Sequence, residues 1–248
     1  MKGVILAGGT GTRLMPFTKI INKQLLPVGP YPMIYWAIIK MKKSGIQEIL
    51  IITHNDHLND FKTILADGNH LGVRITYEIQ PYAGGIAHGL MYAQDFIKKD
   101  KFIFMLGDNI FEDSLLPYVK NFVNKNEKAK ILLTKVNDPK RYGIANINKD
   151  TQQIISIVEK PKDPLSNLCV TGIYMYDSNV FHNIDCLEES CREELEITDL
   201  NNIYISKNQM SYEILKGWWI DAGTHSSLFR ANQLVQTVLS KSGASDNK

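Results

Sequence analysis

Between residues 3 and 28 the chain reads Gly-Val-Ile-Leu-Ala-Gly-Gly-Thr-Gly-Thr-Arg-Leu-Met-Pro-Phe-Thr-Lys-Ile-Ile-Asn-Lys-Gln-Leu-Leu-Pro-Val, a gathering of residues suited to phosphate. The segment Gly8, Gly9, Thr10, Gly11, Thr12 leads into Arg13. Glycines let backbone N–H groups approach an anion closely, and an arginine can fork onto phosphate oxygens. Lys23 follows just before the apolar Leu25-Leu26-Pro27-Val28. A donor-rich loop with two cations suits a polyphosphate. A Walker loop is excluded, because no Lys-Ser or Lys-Thr follows the last glycine of the loop. The dinucleotide fingerprint is excluded too, since its third glycine is missing.

Further chemistry-bearing residues follow apolar runs. Asp108 comes directly after Phe102–Leu106 and Gly107, and Asp221 after Trp218-Trp219-Ile220. Magnesium favours one or two carboxylates plus phosphate oxygens, so each could be a ligand; Asp108 could equally cap a following helix. Gln80-Pro81-Tyr82-Ala83-Gly84-Gly85 offers an amide that can donate and accept, as a pyrimidine edge requires, although an isolated glutamine is more often a surface residue. Glu159 can accept from hydroxyls and Lys160 can neutralise a phosphate, or the two can form a plain surface ion pair. The six histidines show no metal-ligand spacing, and Trp218 and Trp219 fit core and pocket wall.

These residues need a scaffold, and the apolar patterning predicts one. Strands are expected at Val4–Ala7, 48–52, 73–79, Phe102–Leu106 and 129–136. Helices are expected after Pro32, from an Asn55 or Asp56 cap through Leu65, over 84–97 and over 115–123. This alternation argues for a mainly parallel α/β sheet with helices on both faces, which binds ligands at the carboxyl ends of its strands. Beyond 136 the pattern becomes β-rich: a hairpin over 142–147 and 154–159, a strand at 170–176, short strands at 212–215 and 218–220, and a last helix over 226–239. Helices are also expected after Ser178 and after Thr198. We expect one domain over residues 1–241, with 1–136 taking mainly a nucleotide and 137–241 mainly a sugar, and a frayed tail at 242–248.

The 248 residues are enough for an ample core. A net charge of +2 makes no case for nucleic acid or a membrane surface, and no apolar run is long enough to span a bilayer. The chain opens on a strand, so no signal peptide is expected. Three cysteines without a Cys-x-x-Cys pair fit reduced thiols and a cytoplasmic setting.

The run from Gly8 to Val28 resembles the signature of the sugar-1-phosphate nucleotidyltransferases, Gly-Gly-x-Gly-Thr-Arg-Leu-x-Pro-x-Thr followed by Lys-x-Leu-Leu-Pro-Val, at every fixed position. Matching blocks continue to about residue 235, and the likeness is greatest to the short form of the glucose-1-phosphate thymidylyltransferases. The resemblance implies the nucleotide-diphospho-sugar transferase fold and transfer of a thymidylyl group from dTTP to glucose 1-phosphate, releasing pyrophosphate. By residue, it implies Leu6, Gly8, Gly9, Thr10, Gly11, Thr12, Arg13, Gln80, Gly85 and Asp108 at the nucleotide. Lys23, Tyr142, Gly143, Glu159, Lys160, Val170, Thr171 and Glu196 fall at the sugar phosphate. Asp108 and Asp221 together would hold Mg2+, with Arg13, Lys23 and Asp108 catalytic. Many members carry an aspartate where this chain has Gly84, which leaves the choice of thymine or uracil open. UTP, CTP, another sugar 1-phosphate or a non-catalytic nucleotide-sugar sensor are the competing readings. The resemblance further implies a homotetramer, a role in supplying activated glucose for deoxysugars such as rhamnose, and no regulatory nucleotide site of the kind that C-terminal extensions build.

Overall fold

The computed structural model describes residues 1–243. In chain order the elements are β1 (Lys2–Ala7), β2 (Pro27–Val28), β3 (Tyr31–Pro32), α1 (Met33–Lys43), β4 (Glu48–Thr53), α2 (Leu58–Leu65) and β5 (Arg74–Ile79). Next come α3 (Ile86–Met91), α4 (Gln94–Ile97), β6 (Phe102–Leu106), β7 (Asn109–Phe111), α5 (Leu116–Asn124) and β8 (Ala129–Lys135). The remainder are β9 (Gly143–Ile147), β10 (Ile154–Glu159), β11 (Leu168–Tyr176), α6 (Val180–Ile184), α7 (Ile197–Ser206), β12 (Met210–Ile214), β13 (Trp219–Asp221) and α8 (His225–Gly243).

Nine strands form one sheet in the order β10-β9-β11-β6-β1-β4-β5, with β8 also pairing to β11 and β12 beside β8. The β6-β1-β4-β5 block is parallel, while β11 runs antiparallel to β6, β8 and β9. The β-rich second half is therefore continuous with the parallel sheet. Successive residues of a strand face opposite ways, and the core divides accordingly. Ile5, Ile49, Ile51, Ile103 and Met105 pack with α1, α2 and α5 on one face, and Val4, Leu50, Ile52, Phe102 and Phe104 pack with α3, α4, α6 and α7 on the other. A smaller cluster seats α8 through Ala231 and Val235 on Val28, Met33, Ile110 and Ala222.

Some boundaries differ from expectation. Residues 84–97 do not form one helix: Tyr92 and Ala93 donate to Gly89 and Leu90, a tight turn that separates α3 from α4. A short turn at Asn55–His57 precedes α2, and its cap is the His54 ring, which accepts from the Asp56 N–H; neither Asn55 nor Asp56 caps the helix. Asp108 caps no helix, because the next element is β7. The last helix continues to Gly243, so the tail expected at 242–248 begins inside it, and residues 244–248 lie outside the described residues.

Parallel register sets the geometry of the ligand edge. Ala7 lies beside Thr53 and Thr53 beside Ile79, while Leu6 lies beside Leu106. The loops after β1, β5 and β6 thus leave one edge of the sheet together. They are the glycine loop, the Gln80–Gly85 turn and the Gly107–Asp108 turn.

Candidate active site

Gly11 lies at φ +66°, where a side chain would be strained and its Cβ would meet Thr18 Cγ2 at 2.7 Å. Thr18 closes the loop by donating its hydroxyl to the Gly11 carbonyl at 2.8 Å. The N–H groups of Gly9 and Thr10 make no hydrogen bond among the described residues, which leaves both donors available to an anion. Asn22 fixes the turn that carries Lys23: its Nδ2 donates to the Ala7 carbonyl at 3.0 Å and its Oδ1 accepts from the Gln24 N–H at 2.9 Å. That tie brings Lys23 under the glycine loop, with Nζ 3.2 Å from where a Gly9 Cβ would lie.

Lys23 donates to Asp108 Oδ2 in a buried ion pair. The short ladder β7–β13 sets Asp221 opposite Asn109, and the Ala222 N–H donates to the Asp108 carbonyl at 2.9 Å. The two carboxylates, 113 residues apart in sequence, therefore share one site. Arg13 Nη2 stands 3.8 Å from Asp221 Oδ2. The groups converge beside Gly223, where a methyl group would lie 2.8 Å from Asp221 Oδ1, 3.0 Å from Arg13 Nη2 and 3.7 Å from Asp108 Oδ2.

The electrostatics of the two acids differ in sign. Burial disfavours charge on Asp108, but the Lys23 ammonium outweighs it and holds the carboxyl below its ordinary pKa. Burial likewise opposes the charge on Lys23, yet Asp108 holds its pKa above the ordinary value. Asp221 is pushed upward by burial and by the neighbouring Asp108 charge, which Lys23 and Arg13 only partly offset.

A cavity of about 640 Å³ opens from this cluster. Leu6, Gly9, Thr12, Arg13, Lys23, Asp108 and Asp221 line it, together with Tyr142, Gly143, Glu159, Lys160, Val170 and Glu196. Glu159 accepts from the Thr198 hydroxyl at 3.0 Å and lies 3.5 Å from Lys160. Trp219 packs edge-on to Tyr142, centroids 5.6 Å apart, and donates its indole N–H to Asn109 Oδ1.

Other expected site residues lie off this lining. Gly8, Thr10 and Gly11 belong to the loop above it. Gln80 is buried against Gly8 and Gly89, and its Nε2 donates to the Gly85 carbonyl at 3.2 Å. Gly85 sits at φ +101°, and a Cβ there would approach the Leu195 carbonyl to 2.5 Å. The Thr171 side chain points away from the cavity, since its hydroxyl is spent on the Leu132 carbonyl at 2.8 Å; its neighbours Val170 and Gly172 line the cavity instead.

Sequence reasoning passed over Asn22, Asn109, Arg141 and Arg192. Arg192 is the most consequential: it pairs with Glu196 at 2.7 Å, Glu159 at 3.7 Å and Glu194 at 3.9 Å, drawing three acids into one wall. The available signal was a lone arginine inside the acidic run Glu188–Glu196.

Comparison with known proteins shows the family. The family profile described as nucleotidyl transferase matches residues 2–238. The chain belongs to the nucleotidyl transferase family. A glucose-1-phosphate thymidylyltransferase of Neisseria meningitidis is 41% identical over 241 residues, covering 96% of this chain and 83% of that protein. One from Mycobacterium tuberculosis is 38% identical, covering 98% and 85%. A crystal structure from Bacillus anthracis, described as a glucose-1-phosphate thymidylyltransferase with sucrose bound, superposes with a TM-score of 0.90 at 53% identity, covering 94% of each chain. A UDP-glucose pyrophosphorylase structure reaches a TM-score of 0.85 at 22% identity over 95% of this chain and 98% of that one, which speaks for the shared fold. Among the described residues no helix is long and apolar enough to cross a membrane.

Proposed function

We propose that this family member transfers a thymidylyl group from dTTP to glucose 1-phosphate, giving dTDP-glucose and pyrophosphate. The observation that carries the reading is the convergence of Arg13, Lys23, Asp108 and Asp221 beneath the glycine loop, in a cavity also lined by Glu159, Lys160 and Arg192. Its relatives named glucose-1-phosphate thymidylyltransferase support the choice of substrates. Residues 1–241 act as one domain, with 1–136 taking mainly the nucleotide and 137–241 mainly the sugar.

The donor set fits a divalent cation. Asp221 is held beside the ionised Asp108 without full compensation, which a cation relieves, and two carboxylates with phosphate oxygens are the usual surroundings of Mg2+. Bound Mg2+ would supply charge neutralisation at the triphosphate, held by Asp108 and Asp221.

The glucose 1-phosphate monoester has a second pKa near ~6, so at neutral pH the attacking oxygen is already ionised and no general base is required. That oxygen attacks the α-phosphorus in line; the new P–O bond forms as the bond to pyrophosphate breaks. The obstacle is bringing two anions together. Lys160 and Arg192 draw the sugar phosphate, Arg13 and the free N–H groups of the loop hold the triphosphate, and Lys23 stabilises charge at the reacting phosphorus. Glu159 and Thr198 present acceptor and donor to the sugar hydroxyls.

The test is pyrophosphate release with glucose 1-phosphate and Mg2+, comparing dTTP, UTP, CTP and ATP. Preference for dTTP is expected. Preference for another nucleotide would overturn the thymidylyl assignment, and no release with any of them would overturn the reaction.

A further inference from the structure

His88 lies outside the cavity lining, yet it is buried and fully engaged. Its Nδ1 is 3.0 Å from Gln80 Nε2 and its Nε2 is 3.3 Å from the Tyr92 hydroxyl. The Tyr82 ring stacks on it at 4.4 Å and Tyr92 meets it edge-on at 5.3 Å. Gly84 makes room for this stack: a Cβ there would lie 2.7 Å from both His88 Nδ1 and Tyr82 Cε2. The glycine at 84 and the histidine at 88 are thus one packing unit.

The side-chain contacts of the ring have one self-consistent solution, with which the Tyr82 backbone carbonyl competes for a ring proton. The Gly85 carbonyl can only accept, so the Gln80 atom 3.2 Å from it must be the amide nitrogen. That nitrogen has one more hydrogen, directed at His88 Nδ1, which must then accept. The remaining ring proton belongs on Nε2, facing Tyr92. Burial lowers the His88 pKa, against a weaker opposing pull from Glu189 and the Tyr82 backbone, and a neutral ring is what an accepting Nδ1 requires. Both Gln80 donors are then used, and its Oε1 is left against Gly8 of the nucleotide loop, 2.8 Å from where a Cβ would lie. This oxygen takes no hydrogen bond from the described residues and is not sealed from solvent.

We propose that His88 is a positioning residue that locks the Gln80 amide with its carbonyl oxygen outward, so that the site selects pyrimidines carrying an N–H on the ring edge, thymine or uracil, over cytosine, which offers a bare acceptor there. The inference rests on Gln80 lying against the base. Tyr82 and Tyr92 hold the ring, and Gly84 admits it.

Dissociation constants of dTTP and CTP measured by calorimetry test it without depending on turnover. His88→Leu is expected to narrow the dTTP-over-CTP preference by about tenfold, the scale of one hydrogen bond, while leaving glucose 1-phosphate binding unchanged. His88→Asn, whose side-chain oxygen can stand where Nδ1 does, is expected to restore most of the preference. In the wild-type protein, nitrogen NMR of the imidazole should report the Nε2–H tautomer. An Nδ1–H tautomer, or a His88→Leu protein with native circular dichroism and an unchanged preference, would overturn the proposal. Gln80→Leu separates the two layers. If it abolishes the preference and His88→Leu does not, His88 has no positioning role; if neither variant alters it, Gln80 does not face the base and both readings fall.

Discussion

Replacing Asp221 by asparagine is expected to stabilise the metal-free protein while removing its response to Mg2+. Asp221 Oδ1 accepts from the Gly223 N–H at 2.9 Å, a bond that an asparagine oxygen keeps. What is lost is the Arg13 contact, 3.8 Å long with an arginine side chain 56% exposed, and such pairs contribute roughly 0–1 kcal/mol. What is relieved is the ionisation of a carboxylate only 19% exposed beside another carboxylate, on the order of 1–2 kcal/mol for a functional-site replacement. At the midpoints of these ranges the net gain is about 1 kcal/mol, which for a chain of this size raises Tm by roughly 2–4 °C. The pH dependence has a definite sign. The folded pKa of Asp221 lies above its ordinary 3.8, so the native state holds the extra proton between the two values. Wild-type stability therefore falls as pH rises through that window, and the full deficit is present at neutral pH. Thermal melts in EDTA at pH 7.5 should favour the variant, with the gap closing as pH approaches the ordinary carboxylate range. Adding MgCl2 should raise the wild-type Tm and leave the variant's unchanged. A variant no more stable than wild type at pH 7.5 in EDTA would refute the claim that Asp108 and Asp221 repel each other there.

Lys23→Ala should lower kcat/KM by about a hundredfold or more, the effect of losing one preorganised charge, and steady-state kinetics would show it; near-wild-type values would remove Lys23 from the mechanism. The same change strands Asp108. Because the folded pKa of Asp108 is depressed, the pair stabilises the protein above the ordinary carboxylate range and loses that contribution as pH falls through the depressed value, so the variant's Tm deficit should be largest at neutral pH and vanish in acid. Arg192→Ala releases Glu159, Glu194 and Glu196 and should raise KM for glucose 1-phosphate well above that for dTTP; equal rises would place Arg192 at the nucleotide. Thr171→Val should keep kcat and both KM values and cost about 1 kcal/mol of stability, since the hydroxyl serves only the Leu132 carbonyl; a changed KM for the sugar phosphate would show that the hydroxyl reaches ligand.

Residues whose role follows from chain neighbours were legible beforehand. Val4–Ala7 and Phe102–Leu106 are apolar runs that can only be buried strands, and the polar residues after them fall at the ligand edge by the rule for open sheets. The glycine loop declared itself by composition. Less legible was whatever depends on long-range pairing. Residues 109–111 are too short to read as a strand, yet β7 is what brings Asp221 to Asp108. Thr171 lies between two lining residues, and strand alternation turns its side chain the other way, a fact that residue type cannot convey. Arg192 went unread because its partners Glu159 and Glu196 approach from different elements.

The charge arrangement has a consequence for how the site is held together. Ten charged residues line the cavity, Arg13, Lys23, Asp108, Asp221 and Lys160 among them, and of the ion pairs they form the Lys23–Asp108 pair is the one that is both close and buried on both sides. That pair gives the site a fixed point, while Arg13 and Lys160 remain half exposed and free to move onto a phosphate. Asp221 is the member left at a cost. A site arranged for its own stability would neutralise it, whereas a site arranged to receive a cation with a triphosphate must leave that charge available. The raised pKa of Asp221 and the lowered pKa of Asp108 thus belong to one arrangement, in which one acid is anchored by a lysine and the other, on the proposed metal-assisted reading, is kept for the incoming cation.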